Sequence, residues 1–161
     1  MYPDGNKSYS YQTDDEVYFF SNAFDPLNNW SGHQVRIWGK TFATAEHAYH
    51  YRKFSDILPE VAKQIKRAPS AWVAMQTERQ YKDKRRADWE AVKAGIMEEI
   101  IRAKVAQNED VRACLLKTGD RVIKENAVAD NFWGVGPDGK GKNVMGNIFM
   151  QIRSELRKET A

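Results

Sequence analysis

The sequence predicts a mainly helical α+β fold, a single compact domain with a small β-sheet. Apolar residues recur at helical spacing over most of the chain after about residue 44, whereas short β-prone runs lie mainly in the first third. No internal repeat or shift in composition marks a boundary between domains, and 161 residues suit one domain of ordinary size. We therefore expect one domain over residues 16–161, preceded by a loose N-terminal arm over residues 1–15.

Three short segments favour β-structure. Residues 17–20 form a β-prone run, and residues 34–43 alternate around Gly39 and Lys40 as a hairpin does. Residues 121–124 are a third, short candidate strand. The small sheet is thus expected to come largely from the N-terminal third of the chain.

Capping residues place the helices between the hairpin and residue 107. Thr44 can cap a helix that runs to about Phe54, Pro59 can open a second, and Ser70 can open a third, short one. Asp88 is a suitable N-cap for the clearest helix, because an apolar stripe at helical spacing follows it. The stripe consists of Trp89, Val92, Ile96, Ile100 and Ala103.

Two further helices are expected in the C-terminal third. One starts at Asn108 or Glu109 and ends at Gly119. The last helix presents one apolar face and a charged outer side. Its apolar face consists of Met145, Ile148, Phe149, Ile152 and Leu156.

Composition limits the classes of function. Hydrophobic residues make up 42% and charged residues 29%, and the formal net charge is +3, which suits an anionic small ligand without requiring nucleic acid. The only cysteine, Cys114, cannot form an internal disulfide, so a reducing compartment is favoured. No apolar run approaches the roughly 20 residues needed to cross a bilayer, and no secretory signal is visible. We expect a cytoplasmic protein without a membrane partner.

The glycine-rich stretch 130–143 partly matches two phosphate-binding motifs, but the surrounding residues that each motif requires are missing. Gly134, Gly136 and Gly139 fit the dinucleotide fingerprint, but Pro137 interrupts it and no convincing strand precedes it. The lysines that follow lack the Ser or Thr of a P-loop. Two interpretations stay open: an anion cradle at the start of the last helix, or a tight loop that closes on that helix.

The predicted first helix carries a charged face. Glu46, His50 and Lys53 lie at i, i+4 and i+7, so they share one side, where they could serve acid–base chemistry or bind a phosphate. Spacing alone favours an exposed helix with surface ion pairs. His47 and His50 do not match the order of the zinc helix signature, so no metal site is predicted.

Two arginines precede the longest helix. Cations are unfavourable at a helix start, so Arg85 and Arg86 hint at an anionic partner. Trp89 lies on the apolar stripe and is interpreted as a core residue from its position alone.

Four blocks of the sequence together resemble the NADAR family. They are Phe-Ser-Asn at residues 20–22, Gly39 through Thr-Ala-Glu-His at 44–47, Arg-x-Asp-Trp-Glu-x-Val-Lys at 86–93, and Asp-x-Phe-Trp-Gly-x-Gly-x-Asp-Gly-x-Gly-x-Asn-x-x-Gly at 130–146. The likeness covers residues 17–158, in order and at the expected spacing. It implies a compact, mainly helical α+β fold and hydrolysis of an N-glycosidic bond to ribose.

The resemblance implies one of two substrates. In one branch a phosphoribosylamino-pyrimidine of riboflavin biosynthesis is cleaved to ribose 5-phosphate and the free base. In the other, ADP-ribose is removed from guanine in nucleic acid. A non-catalytic module that binds ADP-ribose or a related nucleotide is a third alternative. None of the three requires a metal or a cofactor.

The family motif also implies the site residues. Glu46 is expected to be the principal acid–base residue, with Asp130 holding the ribose or the water. Trp133 is expected to stack on the base, and Trp89 either to stack or to wall the pocket. The other expected substrate contacts are Asn22, Lys53, Arg86, Gly134, Lys140, Lys142 and Asn143. The chain departs from the family at His50, where many members have Gln, and in a long stretch over residues 23–36.

Overall fold

The computed structural model describes residues 10–20 and 26–161. Asn22, one of the predicted substrate contacts, lies outside the described residues. Within the described ranges, helices outweigh strands, so the predicted α+β, mainly helical class is confirmed. The elements in chain order are β1 Tyr11–Gln12, β2 Glu16–Phe19, β3 Val35–Ile37, β4 Lys40–Phe42, α1 Ala45–Arg52, α2 Pro59–Arg67, α3 Ala71–Gln80, α4 Trp89–Gln107, α5 Glu109–Lys117, β5 Val122–Glu125 and α6 Val144–Thr160.

The elements group into two compact units. The terminal unit combines the described residues up to Asn28 with Glu109–Ala161, and the central unit is Asn29–Asn108. None of the helices in the described part of the chain is long and apolar enough to cross a bilayer.

A three-stranded sheet organises the terminal unit. Its strand order is β1-β2-β5, with β1 antiparallel and β5 parallel to β2. Val17 and Ile123 are paired in register and fully buried, and helix α6 packs on β5 through its predicted apolar face. Phe19 meets Phe149 edge to face, with ring centroids 5.4 Å apart. The sheet therefore joins segments that are about a hundred residues apart in the sequence.

The central unit is a hairpin and four helices. The β3–β4 hairpin turns through Trp38 and Gly39, both at positive φ, which matches the right-handed twist of the paired strands. Helices α1, α2 and α3 pack against one another, and α4 packs against both α1 and β3. A buried cluster lies among the first three helices and consists of Phe54, Val61, Ala62, Ile65 and Ala74.

Most predicted elements are found, with three differences. The strands form two separate sheets instead of one, because the hairpin strands pair only with each other. Tyr11 and Gln12, in the predicted loose arm, form a strand paired with β2. Asp88 precedes α4 but makes no capping hydrogen bond, since its carboxylate is bound to Arg86 instead. The predicted domain boundary at residue 16 stays a prediction.

Two helical glycines allow a matched test of the packing in the terminal unit. A Cβ atom at Gly146 would collide with the carbonyl oxygen of Ile123 and the side-chain amide of Asn143, whereas one at Gly95 would meet nothing within 4 Å. We expect Gly146→Ala to lower the free energy of unfolding by about 1–3 kcal/mol. Gly95→Ala should raise it by up to about 1 kcal/mol through helix propensity. Urea unfolding measures both, and equal effects would contradict the close approach of α6 to β5.

Candidate functional site

The start of helix α1 is fixed by a network of hydrogen bonds. The Thr44 hydroxyl accepts from the backbone N–H of His47 and so caps the helix. The His47 ring bonds Thr44 through Nδ1 at 2.8 Å and the Ala68 carbonyl through Nε2 at 3.0 Å. Both ring nitrogens of His47 are thus engaged by protein atoms in the core. The backbone N–H of Glu46 donates to the carbonyl oxygen of Asn29 at 3.1 Å, which anchors the preceding loop to this helix.

Glu46 and His50 are hydrogen-bonded to each other on one face of α1. Nε2 of His50 lies 2.8 Å from Oε1 of Glu46. The His50 side chain is 6% exposed and the Glu46 side chain is 13% exposed. The indole N–H of Trp30 also donates a hydrogen bond to the Glu46 carboxylate. Burial by itself would raise the pKa of Glu46, but His50, Lys53 and Trp30 together outweigh it and lower the pKa. Glu46 is therefore held as a carboxylate.

Lys53 lies one turn further along the same face. Its ammonium donates to Oε1 of Glu78 on α3 at 2.9 Å, and both side chains are 7% exposed. The Nζ atom also lies 4.8 Å from the ring centroid of Tyr49 and 5.4 Å from that of Trp89. Burial lowers the pKa of Lys53, and the attraction of Glu78 and Glu46 only partly offsets this effect.

This arrangement overturns the interpretation of α1 as an exposed helix with surface ion pairs. Glu46, His50 and Lys53 share one face, as the spacing predicts, but that face is largely withdrawn from solvent. Surface pairs of this kind contribute little to stability, whereas buried ones are costly unless each charge has a partner. A buried run of acid, imidazole and amine is an arrangement suited to a binding or catalytic site.

The two arginines before α4 have acidic partners inside the chain. Arg86 makes two hydrogen bonds to Asp88, at 2.6 and 2.9 Å, and its Nη1 lies 3.6 Å from Asp56. Arg85 pairs with Glu90 at 3.0 Å. The unfavourable position of these cations at a helix start is thus explained without an external anion. A contact between Arg86 and the substrate stays a prediction.

Trp89 is almost completely buried, with 2% of its surface exposed. Its ring packs against Tyr49, with centroids 5.1 Å apart, and beneath the Lys53 ammonium. Of the two roles left open for Trp89, this burial favours the wall of a pocket over direct stacking.

In the terminal unit, the glycine-rich loop satisfies its own backbone. Every N–H from residue 139 to residue 145 donates to an oxygen within the loop. Gly134 is required by packing, because a Cβ atom there would lie 2.7 Å from the carbonyl oxygen of Glu125 and 2.8 Å from Cβ of Ala127. The N–H groups from residue 139 to residue 145 are thus already bonded, which favours the tight loop closing on α6 over a cradle built from these backbone groups. Binding of an anion at this loop stays a prediction.

The remaining predicted residues of this loop have structural contacts of their own. Asp130 accepts from the backbone N–H groups of Phe132 and Trp133, each at 2.9 Å. Asn143 has a positive φ, and its side-chain amide makes two hydrogen bonds to the backbone of β5. It accepts from the N–H of Glu125 and donates to the carbonyl oxygen of Ile123. Trp133 is half-buried. Their roles toward a substrate stay predictions.

Lys140 and Lys142 are the exposed cations of the loop. They line one shallow hollow together with Asn131, Phe132 and Asp138, and the Lys142 ammonium lies 5.7 Å from the Phe132 ring centroid. Neither lysine has an acidic partner within the described ranges.

The predicted site residues thus fall into two sets. The central unit brings Glu46, Lys53 and Trp89 close together. Arg86 lies at the C-terminal end of α1, because its backbone N–H donates to the Lys53 carbonyl. The terminal unit holds the second set, which consists of Asp130, Trp133, Gly134, Lys140, Lys142 and Asn143.

Sequence reasoning missed the partners that complete the first set. Glu78 lies at an unremarkable helical position, and nothing in the sequence pairs it with Lys53. Trp30 lies in the long stretch 23–36. A tryptophan among turn residues was the one feature there that could have indicated a functional residue.

Comparisons with known proteins assign the family. The model of the NADAR domain matches residues 9–157. N-glycosidase YbiA of Shigella boydii is 34% identical over 142 residues, which cover 88% of each chain. A riboflavin biosynthesis protein of Vibrio vulnificus is 34% identical over 150 residues, covering 93% of this chain but 38% of that longer protein.

A solved structure agrees with these matches. The NMR structure of the Escherichia coli protein YbiA superimposes with a TM-score of 0.81 at 30% identity, and the alignment covers 96% of this chain and 92% of that one. The predicted enzyme class, a hydrolase acting on N-glycosyl compounds, agrees with the names of the N-glycosidase relatives. The chain belongs to the NADAR family.

Proposed function

We propose that this protein hydrolyses the N-glycosidic bond of a phosphoribosylamino-pyrimidine and releases ribose 5-phosphate and the free base. One observation carries the proposal: the Glu46 carboxylate is largely buried and yet kept ionised by His50, Lys53 and Trp30. The names of the relatives support the class of reaction and a small-molecule substrate. The choice of the aminopyrimidine follows the family resemblance and the riboflavin-related names.

Cleavage of an N-riboside needs a group of this kind. As the bond between C1′ and nitrogen breaks, positive charge develops on the sugar, and a fixed carboxylate stabilises it. A water oxygen then bonds to C1′ and its proton passes to Glu46, while the departing nitrogen takes up one proton from the solvent. Glu46 afterwards returns its proton to the solvent and is a carboxylate again. The products balance as one ribose 5-phosphate and one amino-pyrimidine. No oxidant, reductant or metal enters this sequence.

The other proposed roles follow the family motif. Asp130 would hold the ribose or the water, and Trp133 would contact the base. Lys140 and Lys142 are the better candidates for the phosphate, because Lys53 and Arg86 already face carboxylates of the chain.

One pair of assays separates the proposed reaction from its alternatives. The protein is incubated with a phosphoribosylamino-uracil, and free ribose 5-phosphate is quantified over many enzyme equivalents. In parallel, DNA carrying ADP-ribosyl-guanine is tested for loss of the adduct. Multiple turnovers in the first assay support the proposal, loss of the adduct alone favours the glycohydrolase, and binding without release in either favours a nucleotide-binding module.

Replacement of Glu46 by Gln tests the central role. We expect the variant to fold as the wild type does but to lose turnover by about 10²–10⁴-fold, because the amide neither carries the negative charge nor accepts the proton of the water. Circular dichroism checks the fold and release of ribose 5-phosphate checks turnover. The matched control is Glu60→Gln, at an exposed position whose side chain is 81% accessible. Near-native turnover of Glu46→Gln would remove this residue from the mechanism.

The acid limb of the pH profile tests the role of His50. Since the pKa of Glu46 is lowered, wild-type kcat/KM should persist to a pH below the ordinary range of a glutamate and fall only as pH drops through that lowered pKa. His50→Gln can still donate a hydrogen bond to Glu46 but removes the electrostatic attraction of the imidazole for the carboxylate. With that attraction gone, burial is less fully opposed, the pKa of Glu46 rises, and the acid limb moves to higher pH. An unshifted acid limb in this variant would show that His50 does not hold Glu46 ionised.

A further inference from the structure

Two tryptophans of the central unit are conspicuously exposed. Trp30 is 42% and Trp72 is 51% accessible, and their ring centroids lie 6.3 Å apart at an interplanar angle of 57°. Exposed single apolar residues are ordinary, but two large aromatic rings in contact on a surface mark an interaction site more often than a structural one.

The Trp30 ring is held in place by its neighbours in the loop. The Asn29 carbonyl accepts from the N–H of Glu46, and the Asn29 amide contacts the sulfur of Met97 at 3.5 Å. On the other side, the completely buried Lys104 donates to the hydroxyl of Ser31 at 2.8 Å. A surface ring with both flanking residues anchored in the core is preorganised for contact with a ligand.

Trp72 is positioned by the first turn of α3. Ser70 caps this helix by accepting from the N–H of Val73, and Ala71 and Ala74 are buried on either side of Trp72. The helix thus fixes the backbone while the indole projects outward.

The pair adjoins the carboxylate to which the reaction is assigned. The backbone N–H of Glu46 donates to the carbonyl oxygen of Asn29, the residue before Trp30, at 3.1 Å, and the Trp30 side chain is hydrogen-bonded to the Glu46 carboxylate. A base joined to C1′ has to lie next to the group that stabilises C1′, and an indole ring beside the carboxylate meets that requirement.

We propose that Trp30 and Trp72 form a platform, here called the tryptophan platform, that binds the planar heteroaromatic base of the N-riboside substrate. The inference rests on the proposed function for the identity of the base. Stacking of a base on an aromatic side chain tolerates many bases, so the platform supplies affinity, while the N–H of Trp30 positions Glu46. Trp72 is accordingly a binding residue, and Trp30 is both a binding and a positioning residue.

The two tryptophans are tested by separate variants. Trp72→Ala should weaken binding of free diaminouracil, measured by calorimetry, by about tenfold and raise KM similarly with kcat within about twofold. Trp72→Phe keeps an aromatic face and should stay within about threefold of the wild type. Trp30→Phe keeps a ring but loses the N–H, so base binding should persist while kcat falls. Trp72→Gln is a second replacement without an aromatic ring, in case Trp72→Ala does not fold.

The outcomes separate this inference from the proposed reaction. If the wild type turns over the phosphoribosylamino-uracil and the Trp72 variants keep native KM and affinity for diaminouracil, the platform is overturned and the reaction stands. If the wild type binds diaminouracil through Trp72 without turnover, the platform stands and the reaction is overturned. A wild type that neither binds the base nor cleaves the substrate overturns both.

Discussion

The hydrogen bond between Glu46 and His50 is the interaction on which the candidate site depends. A buried carboxylate without a partner takes up a proton, because the loss of hydration costs several kcal/mol. His50 at 2.8 Å, helped by Lys53 and Trp30, reverses that tendency and lowers the pKa of Glu46. Lys53 in turn needs Glu78, since burial of the ammonium lowers its own pKa. Each charge on this face of α1 is therefore retained only because another lies beside it.

The state of Glu46 favours one chemical role over another. A carboxylate with a lowered pKa is a poor general acid at neutral pH, because it carries no proton to donate, and a weak general base. It is well suited to electrostatic stabilisation of a cationic sugar, since it is charged before the reaction starts and needs no reorganisation. The sequence assigned Glu46 to acid–base work in general. Under the proposed function, Glu46 would instead act as a preformed negative charge that accepts the proton of water late in the reaction.

Features that depend on neighbouring residues could be predicted from the sequence, whereas features that depend on contacts between distant residues could not. Capping by Thr44 and Ser70 and the periodicity of α4 and α6 follow from short-range rules, and these elements are found where expected. The pairing of β2 with β5 and the burial of the α1 face depend on contacts that no local pattern encodes. Asp88 shows how one competing partner cancels a local rule, because a nearby arginine binds the carboxylate that would cap the helix.

The partners inside the chain make some cations better candidates than others for the phosphate of the proposed substrate. Of the four Lys and Arg residues among the expected substrate contacts, two already face carboxylates: Lys53 binds Glu78, and Arg86 binds Asp88 in a bidentate fashion. Releasing either pair would leave a carboxylate without its counter-charge, which is most costly for the buried Glu78. Lys140 and Lys142 are exposed and have no acidic partner among the described residues, so binding a phosphate would break no existing pair. Under the proposed function, the lysines of the loop are therefore better candidates for the phosphate than its backbone N–H groups from residue 139 to residue 145, which are already bonded within the loop.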